Sequence, residues 1–288
     1  MNTIQLKAFL AVAQTASFSR AADELHLTQP AVSKRVAQLE EELDTRLLDR
    51  IGRQVSLTEA GRALLPRALH ILTEMEDSRR AIQNLAGEVA GPLRLGTSHH
   101  VGQHHLPAIL RGYSKRYPEV ELDLHFLDSE TACAAVSQGE MELAVITLPM
   151  TPPAELAALP IWNDSLRFVC GHTHPLARVK QLTATELVKH PALLPARLAT
   201  TREILEESFA PLGARIKTSL STNYLETLKT MASIGLGWSL LPRTLIDKTL
   251  HEFTVRGVRL QRSLGVVSHR ERTLSNAARR MIELLRQV

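Results

Sequence analysis

The chain has 288 residues, 44% hydrophobic and 22% charged, more than one ordinary domain uses to bury a core, so two domains are expected and a disordered or collagen-like chain is excluded. The net charge of +4 is no guide to a nucleic acid. Residues 1–90 hold eleven Lys and Arg against twelve Asp and Glu, and residues 91–288 hold twenty-three against eighteen, so any DNA contact must come from where a few cations sit. No run approaches the roughly eighteen apolar residues of a membrane span, and the opening residues lack the basic region and cleavage site of a signal peptide, which predicts a cytoplasmic chain with no membrane partner. Cys133 and Cys170 are too few for a disulfide framework and read as buried small hydrophobes.

The first sixty residues read as short helices. Ile4, Leu6, Phe9, Leu10 and Ala13 share one helical face, and a second helix runs from Ser17 to Leu25, with Ala21 and Ala22 allowing close approach. A third has a well-specified start: Thr28 as N-cap, Pro30 in the first turn, and Leu27 with Val32 as a hydrophobic staple. Its buried stripe is expected at Val32, Val36, Leu39 and Leu43. On its outward side stand Gln29, Ser33, Lys34 and Arg35, with no carboxylate before the run Glu40 to Glu42. An amide, a hydroxyl and two cations at a helix start suit a major groove, where Gln can bond an adenine edge and the cations meet phosphate or guanine. A solvated helix face is the plainer alternative.

Leu47 to Arg50 and Gln54 to Leu57 read as two strands joined through Ile51-Gly52-Arg53, a wing that lays Arg50 and Arg53 against the neighbouring DNA backbone or minor groove, a surface hairpin with two solvated arginines being the plainer alternative. Thr58 caps the next helix, which runs to about Gln83 or Ala86 over some 40 Å. Pro66 within it predicts either a kink or a later start. Its stripe of Leu64, Leu65, Ala68, Ile71, Leu72 and Met75 is more than a lone helix can bury, so pairing with a second copy is expected. The pattern breaks at Gly87 to Pro92. Beyond it, strands such as Glu121–Phe126, Glu142–Thr147 and Leu264–His269 alternate with helical segments, an α/β layer fold.

Phe9-Leu-Ala-Val-Ala13, Ser17-Phe-Ser-Arg-Ala-Ala22, Leu27-Thr-Gln-Pro-Ala-Val-Ser33, Gln38-Leu-Glu-Glu-Glu-Leu43 and Leu57-Thr-Glu-Ala-Gly61 together resemble the LysR-type transcriptional regulators. The resemblance continues more loosely through Arg94-Leu-Gly-Thr-Ser98, His174-Pro-Leu176 and Gly235-Leu-Gly-Trp-Ser-Leu-Leu-Pro242. It implies a winged helix-turn-helix (1–58), a linker and dimerisation helix (59–87), and a two-lobed α/β regulatory domain (88–288) like the type 2 periplasmic binding proteins. The lobes fall near 92–161 with 266–288, and 162–265. It also implies a homodimer or homotetramer on double-stranded DNA, with RNA polymerase as a further partner and no cofactor. Carried over, Gln29, Pro30, Ser33 and Lys34 face bases and nearby phosphates, and Arg53 meets backbone from the wing. Two such helices related by a two-fold axis want half-sites about 34–36 Å apart, an interrupted palindrome.

The same resemblance places a small-molecule effector between the lobes, outside the carboxyl ends of strands. The positions are Thr97, Ser98 and His99 after the first strand, Asp128 and Ser129 after the second, Thr147 after the third, and Thr200, Thr201 and Arg202 opening a helix. Each is also a common helix-capping type. Trp238 stands where most relatives carry a small aliphatic residue, so its indole is expected in the second lobe or the cleft. The hydroxyls and Arg202 suggest a polar or anionic ligand. His99, His100, His104 and His105 include a metal-compatible i, i+4 pair, but no nearby carboxylate or thiol completes a shell, and no metal is assigned. An enzyme has no positive support: no phosphate loop, nucleophile elbow or zinc-protease motif is present. The alternative is a small-molecule or metal sensor acting through protein contacts, which weak, salt-insensitive DNA binding would favour.

Overall fold

The computed structural model describes residues 1–51 and 54–287, the side chains at 50, 51, 54 and 83 excepted. The chain divides into two compact units, Met1–Ala86 and Gly87–Val288.

In the first unit, α1 (Thr3–Thr15) starts from a complete capping box, with the Asn2 side chain accepting from Gln5 N and the Gln5 side chain from Asn2 N. α2 (Phe18–Glu24) follows an Ser17 cap, and α3 (Gln29–Glu42) a Thr28 cap whose hydroxyl accepts from Ala31 N. Val32, Val36 and Leu39 are fully buried with Leu6, Phe9 and Val12 of α1, so the spacing of four and three residues sets which side of α3 faces inward. Leu43 departs from that stripe: it is the residue that ends the helix, and it is 39% exposed. Ile4 is exposed too, at 53%, although Gln5 and Leu6 beside it on the first turn are buried.

The wing is the antiparallel pair β1 (Leu48–Ile51) and β2 (Gln54–Leu57). Glu40 fastens it to α3, its carboxylate accepting from Leu47 N at 2.8 Å and Leu48 N at 3.1 Å. α4 (Glu59–Leu85) begins directly after the Thr58 cap and passes through Pro66 without ending, so Pro66 does not mark a later start. Of the stripe expected to need a second copy, Ala68 is buried, and Leu64, Leu65, Ile71 and Leu72 are packed against the first unit's own core. Only further along do Met75, Ile82 and Leu85 stand exposed.

The second unit is one ten-stranded sheet with helices around it. β3 (Gly91–Thr97), α5 (His99–His104), α6 (Pro107–Arg116), β4 (Val120–Phe126), α7 (Ser129–Ser137) and β5 (Leu143–Thr147) form the first lobe, in which β4, β3 and β5 run parallel. β6 (Leu156–Gly171) then crosses to the second lobe: β7 (Gln181–Leu182), α8 (Ala184–Leu187), β8 (Ala192–Leu194), α9 (Thr200–Phe209), β9 (Thr218–Ser221), α10 (Leu225–Ser233), β10 (Trp238–Pro242) and β11 (Leu250–Val255). β12 (Leu260–His269) returns, and α11 (Asn276–Leu285) packs on the first lobe. The sheet order β4-β3-β5-β12-β6-β10-β8-β9 puts the antiparallel crossing pair β12 and β6 in the middle, flanked by two parallel sets.

Both lobes bury apolar strands against helices. All five residues of β5 are buried, and Tyr113 on α6 is fully buried with its hydroxyl donating to the Ala277 carbonyl of α11 at 2.8 Å. Gly265 sits at a bulge in β12, where a Cβ would come within 2.1 Å of the Leu159 carbonyl oxygen, so no larger residue fits the crossing pair there. Among the described residues, no helix is long and apolar enough to cross a membrane.

Candidate functional site

On the first unit, the start of α3 offers side chains outward. Gln29, Pro30 and Lys34 are exposed, and Ser33 and Arg35 half-buried, while the opposite stripe is fully inside. The Thr28 cap fixes the first turn. Gln29 and Lys34 are therefore presented on a rigid helix end whose inner face has no freedom to rotate. Arg53, and the side chain of Arg50, lie outside the described residues.

On the second unit, one cavity of about 50 Å³ collects most of the expected effector residues from four chain segments. Ser98, His99, Asp128, Ser129, Thr147, Thr200 and Thr201 line it, together with His100, Glu130, Asn223 and Arg262. The sheet topology explains the convergence: the carboxyl ends of β3, β4 and β5 deliver the first lobe's residues, and the segment after β8 delivers Thr200 and Thr201 at the start of α9.

Three expected residues lie elsewhere. Thr97 is buried in the strand, its hydroxyl donating to the Val145 carbonyl at 2.8 Å across the β3–β5 pair. Arg202 points back into the second lobe, bonding Glu206 at 2.7 Å, the Thr218 hydroxyl at 3.0 Å and the Pro195 carbonyl at 3.3 Å. Trp238 is fully buried in the second lobe's core beside Phe168, and its indole N–H donates to the His190 carbonyl at 3.1 Å. A position near a strand or helix end does not say which way the side chain turns; packing decided against the cleft for all three.

The centre of the site escaped sequence reasoning. Asp164 of β6 and Arg262 of β12 face each other on the crossing strands, with Arg262 Nε donating to Asp164 Oδ2 at 2.8 Å and Nη1 to the Thr201 hydroxyl at 2.9 Å. Both side chains are about 5% exposed. Burial pulls the Arg262 pKa down, against the opposing pull of Asp164. His100 Nε2 lies 3.8 Å from the same carboxylate oxygen, and burial, then the Arg262 charge, hold its imidazole down to about 3. The available signal was two charged residues inside otherwise apolar strand patterns, Asp164 after Trp162 and Arg262 between Leu260 and Leu264.

Contacts join the lobes at the cleft, among them the Thr244 hydroxyl with His100 Nε2 at 3.4 Å. Thr200 N donates to Glu130 Oε1 at 3.1 Å, the His99 ring packs on Tyr224 at 4.8 Å between centroids, and His104 Nε2 approaches Glu226 at 3.5 Å. Among the described residues no group of three or more His, Cys, Asp or Glu is placed to hold a metal. Burial raises both Cys133 and Cys170 to about 11, opposite to what a reactive thiolate needs.

The neutral, buried His100 has a consequence for stability. Its folded pKa lies below the usual value of about 6.5, so between these values the unfolded chain binds the extra proton and stability falls as pH drops from about 6.5 toward 3. We expect the second unit to melt at a lower temperature at pH 5 than at pH 7 in scanning calorimetry, and His100→Gln to narrow the gap. An unchanged gap would mean that His100 is hydrated.

Residues 4–62 match the bacterial regulatory helix-turn-helix family of lysR type, and residues 86–288 match the LysR substrate binding domain. The HTH-type transcriptional regulator YeiE of Escherichia coli is 32% identical over 284 residues, covering 97% of this chain and 95% of that protein. A probable RuBisCO transcriptional regulator of Synechocystis sp. is 31% identical over 284 residues, 95% of this chain and 82% of its own length. Among solved structures, full-length CbnR complexed with its target DNA superposes with a TM-score of 0.66 at 21% identity, covering all of this chain and 99% of that one. With both of its units matched, the chain belongs to the LysR-type transcriptional regulators, DNA-binding proteins that carry an effector-binding domain.

Proposed function

We propose that the protein acts in the cytoplasm as a homodimer or homotetramer on an interrupted palindrome, reading each half-site with the start of α3 and responding to a small molecule held between the lobes of its second unit. The observation that carries the DNA half is the outward set Gln29, Pro30 and Lys34 on a helix whose Val32, Val36 and Leu39 are fully buried. Gln29 is the base reader in this arrangement and Lys34 the phosphate partner, with Ser33 and Arg35 beside them. Met75, Ile82 and Leu85, exposed along the distal half of α4, supply the apolar surface for a second copy. The CbnR structure, solved with its target DNA, supports the reading by its shared fold.

Gln29→Ala should relax preference at one base pair of each half-site, costing about 1–3 kcal/mol on the specific site and little on random DNA. Lys34→Ala should weaken both alike and lower the slope of log affinity against log salt by about one. Equal losses on specific and random duplexes for Gln29→Ala, measured by fluorescence anisotropy, would refute the assignment. An effector that binds the two arrangements of the assembly unequally changes the bend imposed on DNA and with it the engagement of RNA polymerase. DNase footprints identical with and without such an effector would count against that step.

A further inference from the structure

We propose that the cleft takes a compact anion, a carboxylate or an inorganic oxyanion, and that Glu130 occupies part of this site as a tethered stand-in when no effector is bound. This rests on the reading of the cleft as the effector site and specifies its ligand.

Arg262 carries the argument. It is 6% exposed, two of its three nitrogens are committed to Asp164 and Thr201, and Nη2 is shut off from solvent with no partner although the residue lines the cavity. Ser98 Oγ, also on the lining, is likewise enclosed and unpartnered. Two donors without acceptors at one small cavity are a deficit that an incoming acceptor fills, and a planar guanidinium edge favours a carboxylate or oxyanion.

The third element is the start of α9. Ala199 at the N-cap position has no side chain to cap it, and the free Thr200 amide is taken by Glu130, reaching from α7 of the other lobe. The positive end of a ten-residue helix thus already holds a carboxylate, the protein's own. Glu130 also lines the neighbouring pocket of about 600 Å³, where Glu203, Glu206 and Glu207 gather, so it stands as a partition between the two spaces. An anion that replaces it at Thr200 opens the small cavity into the large one. The headgroup then lies among Arg262, Ser98 and the α9 amide, and the remainder of the ligand extends toward the glutamates. Glu203, Glu207 and the exposed Asp128 at the rim oppose a second negative charge, while Glu206 is paired with Arg202, so a single anionic headgroup is favoured over a polyanion.

The test is calorimetric titration of the full chain with sodium acetate, succinate, sulfate and phosphate at fixed ionic strength, for the wild type, Glu130→Gln and Ser98→Ala. Glu130→Gln keeps the shape but removes the competing charge, and should bind at least one of these anions tenfold or more tighter than the wild type. Adding Ser98→Ala should reverse most of that gain. The acetate and succinate arms separate a carboxylate site from an oxyanion site. Anion affinity unchanged by Glu130→Gln, or undetectable in every variant, would overturn the proposal. If neutral or cationic compounds such as glucose or lysine bind instead and lose affinity with Ser98→Ala, the cleft remains the effector site and only the anion assignment fails. If Ser98→Ala alters no ligand's binding, the effector reading fails with it.

Discussion

Replacing Asp164 with alanine should destabilise the second unit by about 3–5 kcal/mol, because it leaves the Arg262 charge buried without its counter-ion. The pair is on the two crossing strands, both side chains about 5% exposed, and the other hydrogen-bond partner of the guanidinium is the Thr201 hydroxyl. The molecule provides its own reporter: Trp162 and Trp238 are its two tryptophans, and both lie in the second unit, so urea unfolding followed by indole fluorescence reads that unit alone. The midpoint should fall with little change in slope. The double variant Asp164→Ala with Arg262→Met removes the stranded charge and should recover much of the loss, since a buried ion pair is worth little against apolar groups of similar volume. A single-variant loss below about 1 kcal/mol, or a double variant no better than the single, would show that solvent reaches the pair.

Trp238→Ala should cost a similar amount, about 3–5 kcal/mol, but by a different route. The indole is fully buried where β10 pairs with β6 on one side and β8 on the other, opposite Cys170 and Ala192. Its ring lies 5.9 Å from that of Phe168, which also packs with Phe209 and Phe253. Truncation opens a cavity in the middle of this aromatic group and strands the His190 carbonyl that the indole N–H satisfies. Trp238→Phe should cost less, keeping most of the volume while losing the hydrogen bond. Trp162 remains to report the transition. Where the variants stay folded, ligand affinity at the cleft should be unaltered, which separates a core position from the cleft position that sequence reasoning allowed; a changed affinity at unchanged stability would restore the latter.

The first unit was legible in sequence because its determinants are local. The Thr28 cap, Pro30 in the first turn and apolar residues three and four apart each act within a few residues, and together they orient α3 before any distant contact is known. Leu43 failed as a stripe residue because periodicity does not announce where a helix stops. The strand and helix alternation of the second unit was readable for the same reason, and so were seven residues of its cleft, which follow strand ends. Arg262 and Asp164 are 98 positions apart, and only the antiparallel pairing of β6 with β12 brings them together. No short window of sequence carries that register. Arg202 shows the converse error: a cation at a helix start looks like a ligand anchor, but Glu206 one turn on and Thr218 on a neighbouring strand were nearer.

The crossing of β6 and β12 also governs the order in which the molecule can be completed. The first lobe contains the earlier strands of the second unit, yet its sheet is closed by β12 and its core by Ala277, Ala278, Met281 and Leu285 of α11, which are synthesised after the second lobe. The second lobe is bracketed by these segments and has nearly all its own residues available sooner. The half of the domain begun first is therefore finished last, and a nascent chain arrested before residue 260 holds an open sheet edge at β5 that β12 covers in the folded domain.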